Sequence, residues 1–393
     1  MMNSVPGFLA SGISSGIKSD NSKDLGLIFS EKPATAVGLF TTNQMKAAPV
    51  ILTQEKIKNG LAQALIVNSG NANACTGKLG FQHATSLSEQ VARELKIDNR
   101  LVMVSSTGII GVPLPIERIN THLHRLVASL SSTGLTDFSE AIMTTDTFSK
   151  TILRKASIAG KDVTLCGIAK GSGMIMPAMA TLLAYFLTDL SIERSLLEEL
   201  FREIIHSSFN ALTIDGETST NDTAIILANG FAGNEILRGD TNEITQFKNL
   251  LKGVAEDLSR LILKDAEGST KIVQIAVKNA LTREEAQKIA YKVANSVLVK
   301  TAFFGEDPNW GRIMSAIGQA GAAINPAKIA IWFNDVMVAQ DSSCTGNIKG
   351  AQDILKLPEF RVTIDLQSGT ACADIATTDL TIEYVKINSD YPT

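Results

Sequence analysis

The sequence predicts an α/β fold in which helices flank stacked, largely antiparallel sheets. Apolar stretches typical of strands recur along the chain, and amphipathic segments with helical spacing separate them. The two kinds of segment do not alternate in the strict β-α-β order of a doubly wound parallel sheet. Hydrophobic residues make up 45% of the 393 residues, enough for a substantial core. We therefore expect sheets covered by helices, with no internal repeat.

The first half of the chain reads as strands interrupted by two helices and two polar loops. Apolar residues three or four positions apart predict helices at 86–95 and 116–130. The segment 68–77 is rich in Asn and Gly, so it either lines a polar site or forms a turn satisfied by its own side chains. The segment 105–115 contains Gly108 and predicts a tight loop with outward-facing N–H groups. Strands are predicted at 25–30, 36–41, 62–67, 101–104, 150–157 and 163–169.

The second half contains three predicted helices, a loop at 304–313 that enters a further helix, and a strand-rich tail. The first helix covers 192–205 with Ser191 as its N-cap, the second covers 242–264, and the third starts at a capping box at Thr282. The carboxylate-rich loop 215–223 either holds a cation or is a solvated turn. Strands are predicted at 224–228, 272–277, 329–333, 336–339, 361–366, 371–377 and 380–387, with a hairpin turn at 334–335.

Composition disfavours several classes of function. The net charge of −4 arises from interspersed acidic and basic residues, so nucleic acid and anionic membranes are not expected partners. The longest nearly apolar run, 174–187, is too short to span a bilayer, and the first residues do not resemble a signal peptide. We therefore expect a cytoplasmic protein that acts on small molecules.

Cysteine and histidine are not placed for metal or triad chemistry. The four cysteines show no C-x-x-C pair, and the four histidines fall in predicted helices. We expect no metal site, no cofactor and no Ser-His-Asp arrangement. An enzyme with this sequence would need a base other than histidine.

The junction Ala180–Thr181 offers such a base. If the bond before Thr181 broke, that residue would carry a hydroxyl and a free α-amine of pKa about 7.7–8.0. A threonine with its own amine as base is an activated nucleophile. Taken alone, however, a threonine before an apolar run is usually the edge of a strand or helix.

The loops together resemble one family, the ornithine acetyltransferases, which are the glutamate N-acetyltransferases of arginine biosynthesis. The resemblance covers essentially the whole chain and is carried by NSGNANACTG at 68–77, STGIIG at 106–111, KGSGMI at 170–175, MAT at 179–181, TSTND at 218–222 and GEDPNWGR at 305–312. It implies self-cleavage between Ala180 and Thr181, giving an α segment, 1–180, and a β segment, 181–393. The two segments would fold together into one catalytic unit and associate as an α2β2 heterotetramer.

The resemblance also implies a reaction and a set of site residues. An acetyl group would pass from N2-acetylornithine to glutamate through an ester on Thr181, in a ping-pong cycle. Some members of the family also take acetyl from acetyl-CoA. Thr107 and Gly108 would form the oxyanion hole. The residues that would bind substrate are Thr144, Lys170, Thr181, Glu267, Asn388 and Thr393.

Charge suggests that Lys170 contacts a substrate carboxylate and Glu267 the δ-ammonium of ornithine. Without the motifs, the same two residues could form an ordinary surface ion pair. Two other functions stay open on the sequence: an N-terminal-threonine amidase or aminopeptidase that transfers the acyl group to water, and a non-enzymatic binding protein of the same fold.

Overall fold

The structure is a computed structural model that describes residues 4–176 and 182–390. Within these ranges the chain forms two β-sheets and eleven α-helices. The helices are α1 (Ala48–Lys56), α2 (Gly77–Leu95), α3 (Ile116–Ala128), α4 (Leu135–Ala141), α5 (Arg194–Ser207), α6 (Asn242–Lys264), α7 (Arg283–Ala294), α8 (Val297–Phe304), α9 (Trp310–Gly318), α10 (Ile348–Leu355) and α11 (Ile382–Asp390). Short 3₁₀ turns occur at Ile57–Asn59, Asn99–Leu101, Phe209–Ala211 and Pro326–Lys328.

The larger sheet has eight strands. They are β1 (Phe8–Ile13), β2 (Leu25–Phe40), β3 (Leu61–Asn71), β4 (Val102–Ile109), β5 (Lys150–Ile158), β6 (Lys161–Lys170), β7 (Leu183–Thr188) and β8 (Thr223–Ala228). Their order is β4-β3-β2-β8-β7-β6-β5, and β1 also pairs with β2. Only the β3–β4 and β7–β8 pairs are parallel among these described strands.

The smaller sheet has six strands, which come from the C-terminal part of the chain. They are β9 (Ile272–Ala280), β10 (Ala330–Phe333), β11 (Val336–Gln340), β12 (Ser343–Cys344), β13 (Glu359–Asp365) and β14 (Ala371–Thr378). Their order is β12-β11-β10-β13-β9-β14, and β13–β9 is the parallel pair. Helices α7 to α10 contribute to the core against this sheet. The predicted class, an α/β fold of largely antiparallel sheets flanked by helices, is confirmed.

Strand β7 is buried on both faces of the larger sheet. Because successive side chains of a strand point to opposite faces, Phe186 packs edge-on against Phe201 of α5, and Tyr185 packs against Phe138 of α4. Helix α6 lies on the same face as α5 and contributes Leu258 to that core. A strand covered on both sides needs a continuous apolar sequence, which explains the run from 182 to 187.

Several boundaries differ from the prediction. The strands expected at 25–30 and 36–41 are one long strand, β2, whose register with β3 shifts between Phe29 and Ala34. Helices α1, α4, α8 and α10 were not predicted. Ser191 does not cap α5, which begins after Glu193. Thr282 caps α7 as predicted, because its hydroxyl accepts a hydrogen bond from the N–H of Glu285 at 3.2 Å. The return bond of the predicted capping box is not made, since Glu285 Oε1 accepts from the N–H of Ala323 and Oε2 has no partner among the described residues.

The predicted strand at 380–387 is wrong, since this segment forms helix α11. The hydroxyl of Thr381 accepts a hydrogen bond from the N–H of Tyr384 at 3.2 Å, as an N-cap does. This cap favours a helical first turn despite the β-branched residues Ile382 and Val385, which are exposed.

Candidate active site

A cavity of about 360 Å³ opens where strands of the larger sheet end near helix α11. Every predicted site residue that the structure describes lines it: Thr107, Gly108, Thr144, Lys170, Glu267 and Asn388. Ala180, Thr181 and Thr393 lie outside the described residues, as does the predicted cleavage bond. The motifs at 106–111, 170–175 and 218–222, far apart in sequence, therefore converge on one cavity, whereas those at 68–77 and 305–312 do not line it.

Three adjacent strands set the floor of this cavity. Lys170, the last residue of β6, pairs with Leu183 at the start of β7, and Leu183 pairs with Thr223 at the start of β8. The N–H of Thr223 also donates a hydrogen bond to the carbonyl of Leu182 at 2.9 Å. Leu182 lines the cavity and directly follows Thr181 in the sequence. The sheet thus brings Lys170 beside the start of the predicted β segment.

Lys170 is a buried cation at the cavity wall. Its side chain donates hydrogen bonds to the hydroxyl of Thr144 at 2.7 Å and to that of Thr107 at 3.3 Å. Its Nζ lies 3.9 Å from Asp146 Oδ2. Burial lowers the pKa of Lys170, and the negative charge of Asp146 opposes that shift. Lys170 is 9% exposed and pairs with Asp146, not with Glu267, so the ordinary surface ion pair is not what forms here.

Asp146 connects several groups around Lys170 through hydrogen bonds. Its carboxylate accepts hydrogen bonds from Lys150 Nζ at 2.7 Å, the N–H of Gly171 at 2.7 Å and the N–H of Thr144 at 3.1 Å. Burial by itself raises the pKa of Asp146, but the ammonium groups of Lys170 and Lys150 outweigh burial and leave it below its usual value. Lys150 has a second partner, Asp265, at 2.5 Å.

Gly108 of strand β4 is the register partner of Gly70 in β3. Its φ is +131°, and a Cβ built there would be 2.4 Å from the backbone carbon of Gly70. Only glycine avoids both the strained backbone and this clash. The loop predicted at 105–115 is wrong in its first part, because pairing with β3 continues the strand through Ile109.

Glu267 supplies negative charge to the same cavity. It is 9% exposed, its N–H donates to the carbonyl of Ser172 at 2.9 Å, and its carboxylate accepts from Asn388 Nδ2 at 2.8 Å. A Cβ on Gly173 would be 2.4 Å from Glu267 Oε2, so glycine there leaves room for this carboxylate. The lining of the cavity thus includes the buried ammonium of Lys170 and two buried carboxyl side chains, those of Glu267 and Asp222.

The acidic loop after α5 anchors the segment that leads to residue 180. Asp215 accepts hydrogen bonds from the N–H groups of Met174 at 2.6 Å and Ile175 at 2.9 Å, and from the hydroxyl of Tyr384 at 3.2 Å. Burial, together with the charge of Asp215, raises the pKa of Tyr384. The interpretations of this loop as a cation site or a solvated turn are thus replaced by a structural clamp that also lines the cavity.

The sequence of this chain is similar to known proteins over nearly its whole length. The profile of the ArgJ family matches residues 9–393. The chain belongs to the ArgJ family. It is 46% identical over 391 residues to the arginine biosynthesis bifunctional protein ArgJ of Geobacter sulfurreducens, covering 99% of this chain and 100% of that protein. It is also 46% identical over 394 residues to the protein of the same name from Syntrophotalea carbinolica, covering 100% of both.

Two solved structures of similar sequence match part of this ArgJ-family chain. The arginine biosynthesis bifunctional protein argJ of Bacillus halodurans is 43% identical, and the match covers 46% of this chain and 95% of that one at a TM-score of 0.43. The ornithine acetyltransferase of Mycobacterium tuberculosis, crystallised with ornithine, is 36% identical, with coverage of 46% and 95% and a TM-score of 0.41.

Several supporting residues of this ArgJ-family site were missed by sequence reasoning. Asp146 was not singled out from the sequence, and Tyr384 was assigned to a predicted strand. Asp215 and Asp222 had the signal of an acidic loop, but nothing in the sequence indicated their partners. Asn68 and Asn73, by contrast, donate hydrogen bonds to the carbonyls of Asn71 and Gly80 at 2.8 and 2.9 Å, and no residue of the 68–77 segment lines the cavity. The first four residues of this segment extend strand β3, so they do not form the predicted turn.

Among the residues described, no group of three or more His, Cys, Asp and Glu side chains is arranged to hold a metal ion. All four histidines lie in helices, as predicted: one in α2, two in α3 and one in α5. Over the same residues, no helix is both long and apolar enough to cross a membrane.

Proposed function

We propose that this chain transfers an acetyl group from N2-acetyl-L-ornithine to L-glutamate, with Thr181 as nucleophile. The observation that carries the proposal is the cavity itself. It combines a buried ammonium, a buried carboxylate and a glycine-lined wall beside Leu182, the residue that follows Thr181. Membership of the ArgJ family supports the same reaction, because its curated relatives are named bifunctional proteins of arginine biosynthesis.

The first half of the cycle acetylates the enzyme. Thr181 Oγ attacks the acetyl carbonyl while the α-amine of Thr181 takes the hydroxyl proton. Backbone N–H groups at Thr107 and Gly108 stabilise the oxyanion, a contribution of about 2.7–4 kcal/mol for one donor. The proton then passes to the departing nitrogen, and ornithine leaves.

The second half regenerates the free hydroxyl. The amine of glutamate attacks the acetyl-Thr181 ester, and N-acetylglutamate departs as Thr181 Oγ recovers a proton. Lys170 and Thr144 bind the substrate carboxylate, and Glu267 with Asn388 binds the amino end of ornithine. Thr393 completes the site. Acetyl-CoA serves as a second acetyl donor in the bifunctional form of this activity.

Maturation precedes catalysis in this proposal. Cleavage between Ala180 and Thr181 yields the α segment, 1–180, and the β segment, 181–393, which stay together as one catalytic unit. The unit assembles as an α2β2 heterotetramer in the cytoplasm and uses no metal or organic cofactor. The strands that follow residue 181 pair with strands that precede it, which supports a joint fold.

The deciding experiment feeds N2-acetylornithine to the purified protein with and without glutamate. We expect ornithine and N-acetylglutamate to form together, and acetate release to be minor. Dominant release of acetate without glutamate would instead identify an N-terminal-threonine amidase. A parallel assay with acetyl-CoA and glutamate tests the second activity.

A substitution separates the enzyme from a binding protein. Wild-type protein should give two bands on a denaturing gel, one of which begins at Thr181. Thr181→Ala should give a single full-length chain with no transferase activity. Thr241→Ala, which removes a hydroxyl from an exposed residue outside the cavity wall, is the matched control and should still be cleaved. Cleavage at the same bond in Thr181→Ala would refute the mechanism.

A further inference from the structure

Self-cleavage requires a general base other than the α-amine that serves in the proposed catalytic cycle. Until the bond between Ala180 and Thr181 breaks, the nitrogen of Thr181 is an amide and cannot take a proton from the hydroxyl. Another group must therefore remove that proton in the uncleaved chain. This question rests on the proposed function, since it arises only if the chain cleaves itself.

Most ionisable groups of the cavity are already engaged. Glu267 accepts a hydrogen bond from Asn388, and Asp215 accepts from two backbone N–H groups and Tyr384. Lys170 donates to two hydroxyls and is paired with Asp146. These hydrogen bonds occupy both carboxylate oxygens of Asp215 and the Oε2 atom of Glu267.

Asp222 differs from the others. It lines the cavity and is only 2% exposed, yet its Oδ2 has no hydrogen-bond partner among the described residues. An unpartnered buried carboxylate oxygen is costly and needs an explanation. Its backbone is fixed, because its carbonyl accepts from the N–H of Thr41 at 3.0 Å.

The sheet places Asp222 next to the residue that follows Thr181. Leu183 and Thr223 are register partners in the parallel β7–β8 pair, and the N–H of Thr223 donates to the carbonyl of Leu182. Asp222 therefore lies one residue before the pairing that also fixes the start of β7. Adjacent strands are about 4.8 Å apart, which a carboxylate side chain can span.

We propose that Asp222 is the general base of self-cleavage. Its Oδ2 takes the hydroxyl proton as Thr181 Oγ attacks the carbonyl carbon of Ala180. The same proton then passes to the nitrogen of Thr181 as the C–N bond breaks, which leaves an ester and a free amine. Water hydrolyses the ester to the carboxyl group of Ala180 and the hydroxyl of Thr181. No other reactant is consumed.

The pH dependence has a definite sign. Burial raises the pKa of Asp222 well above its usual value, and the hydroxyl of Ser219 and the charge of Lys170 offset this in part. A base must be ionised, so cleavage should accelerate as pH rises through this raised value. The other ionisable side chains lining the cavity in the described part of the chain are Asp215, Glu217, Glu267 and Tyr384.

The test follows cleavage of freshly synthesised, pulse-labelled chains on denaturing gels across a pH series. Asp222→Asn should slow cleavage roughly 100-fold, the scale of a lost general base, and flatten the pH dependence. Glu217→Gln removes a charge from an exposed residue at the same cavity and should cleave as wild type does. Asp222→Ala should also be slow, and added formate should accelerate it, which chloride at equal concentration should not.

Two results would overturn this inference while leaving the transferase proposal standing: cleavage of Asp222→Asn at the wild-type rate, or no acceleration of Asp222→Ala by formate. Formate rescue also guards against a folding defect, because a small carboxylate replaces the missing base but does not repair a misfolded chain. An uncleaved wild-type chain would overturn the self-cleavage proposal itself.

Discussion

Lys170 is buried, and burial disfavours the charged form of its side chain. Burial lowers the pKa of its side chain, and Asp146 is the neighbour that counteracts this effect. Because this ammonium is already held by hydrogen bonds to two hydroxyls, an anion could bind to it without a large rearrangement of the side chain. The KGSGMI motif identified Lys170 from the sequence. Its burial and its pairing with Asp146, which lies 24 residues earlier in the chain, depend on tertiary contacts and could not be predicted.

Replacing Lys170 should weaken substrate binding. Lys170→Met should lower kcat/KM for acetylornithine by roughly 10- to 150-fold, because a hydrogen bond to a charged group is worth about 1.5–3 kcal/mol. Steady-state kinetics would check this. Lys32→Met, which removes an ammonium stacked on Phe231 outside the cavity wall, is the control and should keep its activity. Unchanged kinetics in Lys170→Met would remove this residue from the site.

The lowered pKa of Lys170 predicts a loss of activity on the alkaline side. In its proposed role Lys170 would attract a carboxylate only while protonated, so kcat/KM should fall as pH rises through its lowered pKa, earlier than for an ordinary lysine. Lys170→Arg should move this fall to higher pH, since a guanidinium stays protonated. A pH profile of kcat/KM measures both, and an identical alkaline limb in the two proteins would assign it to another group.

Single elements were predictable where local signals were strong. Helix α6 covers the predicted range 242–264, because its apolar spacing and length leave no other interpretation. The hairpin joining β10 and β11 at 334–335 is also as predicted. Strand β4 was cut short because its glycines suggested a loop, whereas pairing with β3 extends it. Such pairing is a tertiary effect that local sequence does not encode.

Gly108 belongs to strand β4 and also lines the cavity, so its replacement should lower both stability and activity. Gly108→Ala places a methyl group 2.4 Å from the backbone of Gly70 in a backbone conformation unsuited to L-residues. Thermal unfolding and transferase assays should show lower stability and loss of activity. Gly111→Ala is the control: its φ is +83° but nothing lies within 4 Å, so it should cost only about 1–2 kcal/mol of backbone strain.

At the scale of the whole molecule, a buried ionic network joins distant parts of the chain. Asp146 precedes β5, Lys150 begins β5, Lys170 ends β6, and Asp265 follows α6. The convergence of site residues from both halves depends on this arrangement. Motif resemblance predicted which residues meet, but the ions that hold them in place appear only in the folded chain.

Breaking this network should destabilise the protein. Asp146→Asn leaves the buried ammonium of Lys170 without its paired carboxylate. The free energy of unfolding should therefore fall by roughly 3–5 kcal/mol. The pKa of Asp146 is lowered on folding, so its contribution is present above its usual pKa and is lost as pH falls through the lowered value. Urea unfolding at neutral and acidic pH would show the variant losing less stability on acidification.

Asp257→Asn is the matched control, because this carboxylate pairs with Arg154 at 2.5 Å on the surface. An exposed pair is worth about 0–1 kcal/mol, so the midpoint should hardly move. Equal effects of the two substitutions would contradict a special role for the buried network.

The order of strands in the larger sheet predicts how a chain cut at the proposed site would refold. Strands β7 and β8, which follow residue 181, lie between β2 and β6, which precede it. Neither piece can complete this sheet alone, since each would leave unpaired strand edges. An uncut chain refolds at a rate independent of its concentration. A chain severed at 180/181 must instead recover its structure through an encounter between two molecules, so its refolding should slow on dilution.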